Sequence, residues 1–494
     1  MWEPNSTAEN TKDCESIKIP NAALIDGKMV PATEGATFDL EDPSTGNTIG
    51  SLPRCGERDV SLAVESARRT FDKGSWSSLS GYQRGRILRT YAEILRDRQR
   101  DFALLETLEN GKPVVESKWA ALAVADVVDF YAGWADKLHG EQIPLKSGAI
   151  DILFREPLGV VGCITPWNFP STQPSFKAIP ALAMGNSVVS KPAEQCCATA
   201  VLMAELALEA GIPEGAWNVV TGYGHEAGSA LVASPGIDAI SFTGSTETGR
   251  KIMTQAANRL LPVSLECGGK CANVIFDDAD LERAVAGAVV GGSYNQGEVC
   301  NAGARVLVQQ SIFDEFKELY VKAVQKLKVG NPFDPKTTLG SLVSRDQKER
   351  VVGFIEAGKA EGLEVVYEGH LGDLSGCFVA PTIFECHNVK STIFQEEIFG
   401  PVVTLMPFSD EEDALMKINC TTYGLATGFW TKDVTRVFKM SRKIESGTVW
   451  VNTFGPFDIA APWTGYKNSG LGTEWGKEML NFVTRPKNLW INTA

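Results

Sequence analysis

From Val160 onward the chain alternates short apolar runs with longer amphipathic ones. The runs "VVGCIT" (160–165), "SVVSKP" (187–192), "WNVVTG" (217–222) and "AISFTG" (239–244) are brief, and Gly, Pro or polar residues bound them, a pattern that predicts buried strands. Between them, "TQPSFKAIPALAMGN" and "CATAVLMAELALEAG" read as helices closed by Gly185 and Gly211, with a short helix around 225–233. "TETGRKIMTQAANRL" is a further helix after the last strand. This alternation predicts a parallel sheet with helices on both faces, the doubly wound architecture, which binds ligands at the carboxyl ends of its strands.

A second unit of the same class begins near 261. Its strands are read in "CANVIFDD", "ARVLVQQ" and "VVTLMPF", with helices near 280–290, 311–328 and 345–361. Upstream, the segment from Gly81 to Asn110 reads as strongly helical, with Ile87, Leu88, Tyr91, Ile94 and Leu95 on one face. The stretch near 145–156 and the terminal "NLWINTA" are β-prone, and exposed strands of this kind serve pairing between subunits. The first twenty residues are polar and acidic, without the features of a signal peptide, and read as a loose tail.

Composition narrows the partners. With 494 residues, two or three domains are expected. The formal net charge of −14 disfavours nucleic acid and anionic membrane surfaces, and no apolar run approaches the roughly 18 residues of a membrane span. Eleven cysteines without framework spacing point to a reducing, cytoplasmic setting. The four histidines are scattered, and the lone pair Cys267 and Cys271 is weak as a metal motif, so no metal is expected.

Chemistry-bearing residues gather at the predicted strand ends. Thr165 leads into "PWNFP", where two prolines pin a loop that holds Asn168. "KPAE" (Lys191 to Glu194) places a cation and a carboxylate where a ribose could meet them. "TGSTETG" (Thr243 to Gly249) opens a helix with small residues, so that backbone N–H groups could approach a phosphate, although its spacing is not that of the usual dinucleotide fingerprint. In "LECGGK", Glu266 sits in an apolar run, where desolvation would raise its pKa and make it a usable base. In "YNQGEVCNAGAR", Cys300 stands among glycines and amides with no histidine nearby. A thiol with a carboxylate base needs none.

These motifs, with "EEIFGPV" (396–402) and "GYKNSGLG" (465–472), stand in the order and approximate spacing found in the NAD(P)-dependent aldehyde dehydrogenase superfamily, which the chain resembles from about residue 20 to its end. The 34-residue step from Glu266 to Cys300 is also typical of that family. The resemblance implies an acid-forming enzyme that does not acylate coenzyme A. Its fold would be α/β, with two doubly wound Rossmann-like units, cofactor and catalytic, plus a small β oligomerisation arm. The implied boundaries are 1–126 and 157–260 for the dinucleotide-binding domain, 261–467 for the catalytic domain, and 127–156 and 468–494 for the arms.

Residue roles follow from the same resemblance. Cys300 matches the nucleophile, Asn168 the oxyanion amide and Glu266 the base that activates water; Lys177 and Glu474 match a proton relay or cofactor support. Thr165, Pro166, Trp167, Lys191, Glu194, Gly244, Ser245, Glu397 and Phe399 match the cofactor contacts, with NAD preferred and NADP weaker. Phe169, Ser171, Thr172, Gln173, Phe176, Val299, Asn301, Phe457 and Trp463 would wall the substrate tunnel, which holds no Arg or Lys. A small-molecule aldehyde is the implied partner, in a homodimer or homotetramer. Neutral aromatic or aliphatic aldehydes come first, aminoaldehydes or betaine aldehyde second, and dicarboxylic semialdehydes last. A thiol esterase and a non-catalytic binding protein are the alternatives from other classes. The chain departs from the family at Cys267, usually hydrophobic, at Thr464, usually glycine, and at Thr473, usually arginine, so the network around Glu474 must differ.

Overall fold

The computed structural model describes residues 2–492, and most of its predicted strands fall in two sheets. The first has eight strands in the order Lys28–Val30, Ala23–Ile25, Trp217–Val219, Ser187–Pro192, Val160–Thr165, Ala239–Thr243, Val263–Glu266 and Gly470–Leu471. The five from Trp217–Val219 to Val263–Glu266 are parallel. Every residue of Val160–Thr165 and Ser187–Pro192 is buried, because helices cover both faces. Successive strands step outward from Val160–Thr165 to Trp217–Val219, and the chain then crosses back to Ala239–Thr243 on the other side. That reversal opens a crevice at the carboxyl ends of Val160–Thr165 and Ala239–Thr243.

The second sheet runs Glu364–Glu368, Thr382–Glu385, Val402–Phe408, Arg305–Gln309, Ala272–Ile275, Ala426–Trp430, Thr448–Val451, and only the Glu364–Glu368 edge is antiparallel. Its contribution to the crevice comes from the other end of the strands. Gly268, Cys300 and Glu397 all precede strands of this sheet, so the second unit presents its amino ends where the first presents carboxyl ends.

A third, antiparallel sheet joins Glu141–Pro144, Ile150–Pro157 and Thr484–Ile491. The β-prone stretch near 145–156 is thus half of a hairpin, and the terminal strand begins earlier than "NLWINTA" and ends at Ile491; residues 493–494 of that run lie outside the described residues. No helix among the described residues is long and apolar enough to cross a membrane.

Several expectations are corrected. The N-terminal segment is not a loose tail: Thr7–Glu15 is a helix with a Ser6–Glu9 capping box, and buried Asn10 donates from Nδ2 to Phe333 O at 2.9 Å. The helix over 81–110 breaks at Arg98 into Gly81–Asp97 and Gln99–Asn110. Beyond the break Phe102, Ala103, Leu104 and Leu105 are all buried, so a single wet face could not continue. The short helix at 225–233 opens with a π turn, Gly224–Gly228. Two of the implied boundaries also cut through structure. Helix Ala120–Trp134 runs through 126/127, and Gly470–Leu471, beyond 467, pairs with Leu265 and Glu266 of the first sheet.

Candidate active site

Cys300 follows a tight turn, Tyr294–Gly297, in which Asn295 (φ 47°) and Gln296 (φ 55°) adopt the left-handed conformation. Such residues cost about 1–2 kcal/mol each and persist where their surroundings hold them. Gly297 (φ 74°) has no room for a side chain, since an added Cβ would lie 2.4 Å from Gly400 O. The turn delivers Cys300 to the junction of two cavities, whose walls it shares with Gln173, Thr243 and Cys267.

The first cavity, about 260 Å³, lies in the crevice between the sheets. It brings together Pro166, Trp167, Asn168, Gly244, Ser245, Glu397 and Phe399. Ser245 caps helix Thr246–Ala257 by accepting from Thr248 N at 3.2 Å. Glu397 Oε1 accepts from Gly269 N at 3.0 Å, and burial pushes this carboxyl up to about 7. Phe399 (φ 63°) meets the Trp167 ring edge-on at 5.2 Å. Gln347 and Arg350 also line the cavity and were missed from sequence; Gln347 Nε2 donates to Phe399 O at 2.7 Å and Arg350 to Glu397 O at 2.8 Å. Their only sequence signal was a polar face on helix Arg345–Ala360. Thr165 is buried at the strand end, and Lys191 and Glu194 pair with each other at 3.1 Å, all three outside this cavity's lining.

The second cavity, about 180 Å³, is walled by Phe169, Thr172, Gln173, Phe176, Val299, Phe457 and Trp463, together with Ala123, Tyr294 and Trp475, which sequence reasoning missed. Trp475 packs at 5.0–5.3 Å against Phe176, Phe457 and Trp463, so four rings form one wall. Two expected wall residues are elsewhere. Asn301 lines an adjoining crevice of about 40 Å³, and Ser171 is turned away, donating from Oγ to Glu106 Oε2 at 2.6 Å. Asp458 accepts from Ala460 N at 2.9 Å within its own turn. The cavity lining holds no Lys or Arg; its ionisable members are Glu266, Glu474, Tyr294 and the thiols.

Glu266 ends strand Val263–Glu266, and both its carboxylate oxygens are buried without a protein partner. Burial, then the nearby Glu474, hold its pKa well above the usual carboxylate range against the pull of Lys177. Lys177 donates to Glu474 and to Thr243 Oγ1 (2.6 Å). Glu474 also exchanges two backbone bonds with Trp463, at 2.7 and 2.8 Å, so it is held firmly with threonine at position 473. Asn168 donates one N–H to Glu298 O at 3.0 Å, which orients the amide and leaves its second N–H free. Burial, chiefly, also pushes the Cys300 thiol well above its ordinary value. A base or a neighbouring cation must therefore generate the thiolate.

The two extra thiols are placed apart. Cys267 belongs to the apolar core of the first unit and Cys271 to that of the second, and burial pushes each up to about 12. Both are buried and Cys271 lines neither cavity, whereas Cys300 is the partly exposed thiol of the three and the one an oxidant can reach. The double variant Cys267→Ser, Cys271→Ser is accordingly expected to be inactivated by peroxide at the parent rate; marked protection would make one of them a redox site.

The aldehyde dehydrogenase family profile matches residues 29–489. Betaine aldehyde dehydrogenase of Bacillus subtilis is 41% identical over 476 residues, covering 95% of this chain and 97% of that one. Among solved structures, the indole-3-acetaldehyde dehydrogenase AldA of P. syringae, in complex with NAD+ and IAA, superposes with a TM-score of 0.97 at 38% identity, over 99% of this chain and 100% of that one. The gamma-glutamyl-gamma-aminobutyraldehyde dehydrogenase of Burkholderia cenocepacia gives 0.97 at 40% identity, over 99% and 100%. The chain belongs to the aldehyde dehydrogenase family.

Proposed function

We propose that the protein oxidises an aldehyde to the free carboxylic acid with NAD, through a thiohemiacetal and a thioester on Cys300. The observation that carries this reading is the position of Cys300 at the junction of two cavities, with Glu266 on one side and Glu397 on the other. The lining of the first cavity suits the nicotinamide and diphosphate part of a dinucleotide. Gly244 and Gly268 line that cavity where no side chain fits, since an added Cβ would lie 2.5 Å from the Phe242 ring and 2.0 Å from Glu397 Oε2 respectively, so the wall there is bare backbone that a ligand can approach closely. The start of helix Thr246–Ala257 offers backbone N–H groups to a diphosphate, while Glu397 and Phe399 would hold the nicotinamide ribose and ring, and Lys191 with Glu194 the adenine ribose. NAD, when bound, supplies a hydride acceptor.

The chain's own groups do the rest. The Cys300 thiolate adds to the aldehyde carbon, and the free N–H of Asn168 with the Cys300 peptide N–H stabilises the oxyanion. After oxidation, Glu266 takes a proton from water as that water attacks the thioester, and the acid leaves as Cys300 regains its thiolate. Lys177 and Glu474 set the charge beside Glu266 and offer a path for its proton. The three-stranded arm, with exposed Ile143, Ile150, Phe154, Leu489 and Trp490, is the surface through which two or four copies would assemble.

Incubating the protein with aldehyde and NAD, with and without coenzyme A, tests the reading. Reduced cofactor and free acid should form without coenzyme A, and strict dependence on coenzyme A, or ester cleavage with no cofactor reduction, would overturn it. Asn168→Ala should lower kcat by about 10²–10³, the usual cost of one oxyanion donor, with little change in coenzyme affinity. Glu194 can accept from a ribose 2′-OH and repels a 2′-phosphate, although Lys191 partly offsets the repulsion. Thus kcat/KM should favour NAD over NADP by about tenfold, or 1.4 kcal/mol, and Glu194→Gln should narrow the gap.

The aromatic wall and the absence of a lining cation place neutral aromatic or aliphatic aldehydes first. Burying their apolar bodies gains about 25 cal/mol per Å². Aminoaldehydes are the second reading, favoured by the ring faces of Phe457, Trp463 and Trp475 beside Glu266 and Glu474. The activities named for two of the relatives above fall one in each class, an indole acetaldehyde and betaine aldehyde. Comparing kcat/KM for benzaldehyde, hexanal, 4-aminobutanal, betaine aldehyde and succinate semialdehyde decides, and a lead for succinate semialdehyde would refute this view of the wall.

A further inference from the structure

The turn from Asn110 to Ser117 touches both loops that meet at Cys300, yet the proposed reaction makes no use of it. Asn110 Nδ2 donates to Trp167 O at 3.0 Å. Six residues on, Glu116 Oε2 accepts the peptide N–H of Asn295 at 3.0 Å. Asn295 closes the circuit, because its Nδ2 donates to Asn168 O at 2.9 Å and to Glu298 O at 3.1 Å. That same Glu298 carbonyl accepts the orienting bond from Asn168 Nδ2. The turn is itself anchored, with Val114 N donating to Pro332 O at 2.8 Å and Thr107 Oγ1 to Ser117 Oγ at 2.9 Å. A fixed frame therefore grips the "PWNFP" loop through Asn110 and the nucleophile loop through Glu116.

We propose that Glu116 is a positioning residue for the oxyanion site: by accepting the Asn295 peptide N–H it holds that residue left-handed, and through Asn295 it sets where the free N–H of Asn168 and the Cys300 peptide N–H point. The proposal rests on the roles given above to Cys300 and Asn168. A left-handed L-residue returns to ordinary backbone angles when nothing holds it, and Asn295 (φ 47°) has its peptide N–H bonded to Glu116. Without that acceptor the turn keeps only the Nδ2 bonds of Asn295 and the bond from Glu298 N to Asn295 O, and its left-handed backbone can relax within them. Its relaxation would shift Asn295 Nδ2, the Glu298 carbonyl and with it the amide of Asn168. Oxyanion donors act only within a few tenths of an ångström of their mark, so a small shift costs rate without costing binding. Burial, against the pull of Lys112, pushes Glu116 up to about 7, and either protonation state keeps an oxygen that accepts from Asn295.

The test uses the full-length enzyme with NAD. Glu116→Ala is expected to lower kcat and the single-turnover rate of cofactor reduction by about 10- to 100-fold, with KM for aldehyde and Kd for NAD within about twofold of the parent. Glu116→Gln, which keeps an acceptor oxygen, should restore the rate to within about threefold. Should Glu116→Ala fail to fold, Asn295→Asp carries the same expectation, since it keeps the loop's size and removes the Nδ2 donor. A folded Glu116→Ala with the parent single-turnover rate would overturn the proposal, as would a parallel loss of NAD affinity, which marks a general structural role. Activity surviving in Cys300→Ala is a distinct failure, since it removes the mechanism on which the proposal rests.

Discussion

Replacing Cys300 with alanine should abolish aldehyde oxidation and ester cleavage together, each falling by on the order of 10⁴ or more. The argument is positional. Cys300 shares walls with both cavities, and of the two other thiols nearby, Cys267 is buried in the wall and Cys271 is buried beneath, donating to the Cys300 carbonyl at 3.9 Å. Cys271 lines neither cavity, and Cys267 is 5% exposed, so Cys300 is the accessible thiol beside the Asn168 amide. In the proposed mechanism both reactions begin with attack by this sulfur, so they should fail together. The variant should bind NAD as the parent does, because the cofactor wall is otherwise unchanged. Residual oxidation at a tenth of the parent rate would show that another nucleophile, or none, is used.

The second large effect is expected at Glu266. Glu266→Gln should permit acylation and stall hydrolysis, giving about one equivalent of reduced cofactor per site and then steady turnover reduced by about 10²–10³. Glutamine fills the same space but cannot take a proton from water. Both Glu266 oxygens are buried and free of protein partners, as a group waiting for water would be. Because burial and Glu474 hold its pKa well above the ordinary carboxylate range, the basic form appears only as pH rises. Hydrolysis in the parent should therefore climb with pH through that raised pKa, and the climb should be missing in Glu266→Gln. Quench-flow measurement of the burst across pH decides, and normal steady-state turnover in the variant would remove Glu266 from the mechanism.

The departures from sequence expectation share a cause. Asn301 is adjacent to the nucleophile in sequence, yet its side chain leaves the main cavity because the loop turns between Cys300 and Asn301. Trp475 and Tyr294 are adjacent to Glu474 and Asn295, and nothing in their own neighbourhoods marks them as cavity wall. Trp475 becomes so only by packing on Phe176 and Trp463, and Tyr294 only by stacking on Phe169. The N-terminal helix was legible, since Ser6 and Glu9 stand at capping-box spacing, but the polar composition outweighed that signal.

By itself the sequence determined what short-range chemistry controls. Burial on both faces fills the middles of strands 160–165 and 187–192 with Val, Ile and small residues, and Pro166 and Pro192 stand at their ends. The strand–helix alternation and the motifs "PWNFP", "LECGGK" and "NQGEVCNAGAR" could therefore be read along the chain. Only the tertiary structure decided how the second sheet faces the first, with amino ends of strands opposing carboxyl ends. It alone brought Gln347 and Arg350 to the wall of the first cavity and Trp475 to that of the second, and it joined Glu116 to Asn295 across 179 positions of chain. Those contacts depend on packing between units and on the direction each side chain takes, which no local pattern encodes.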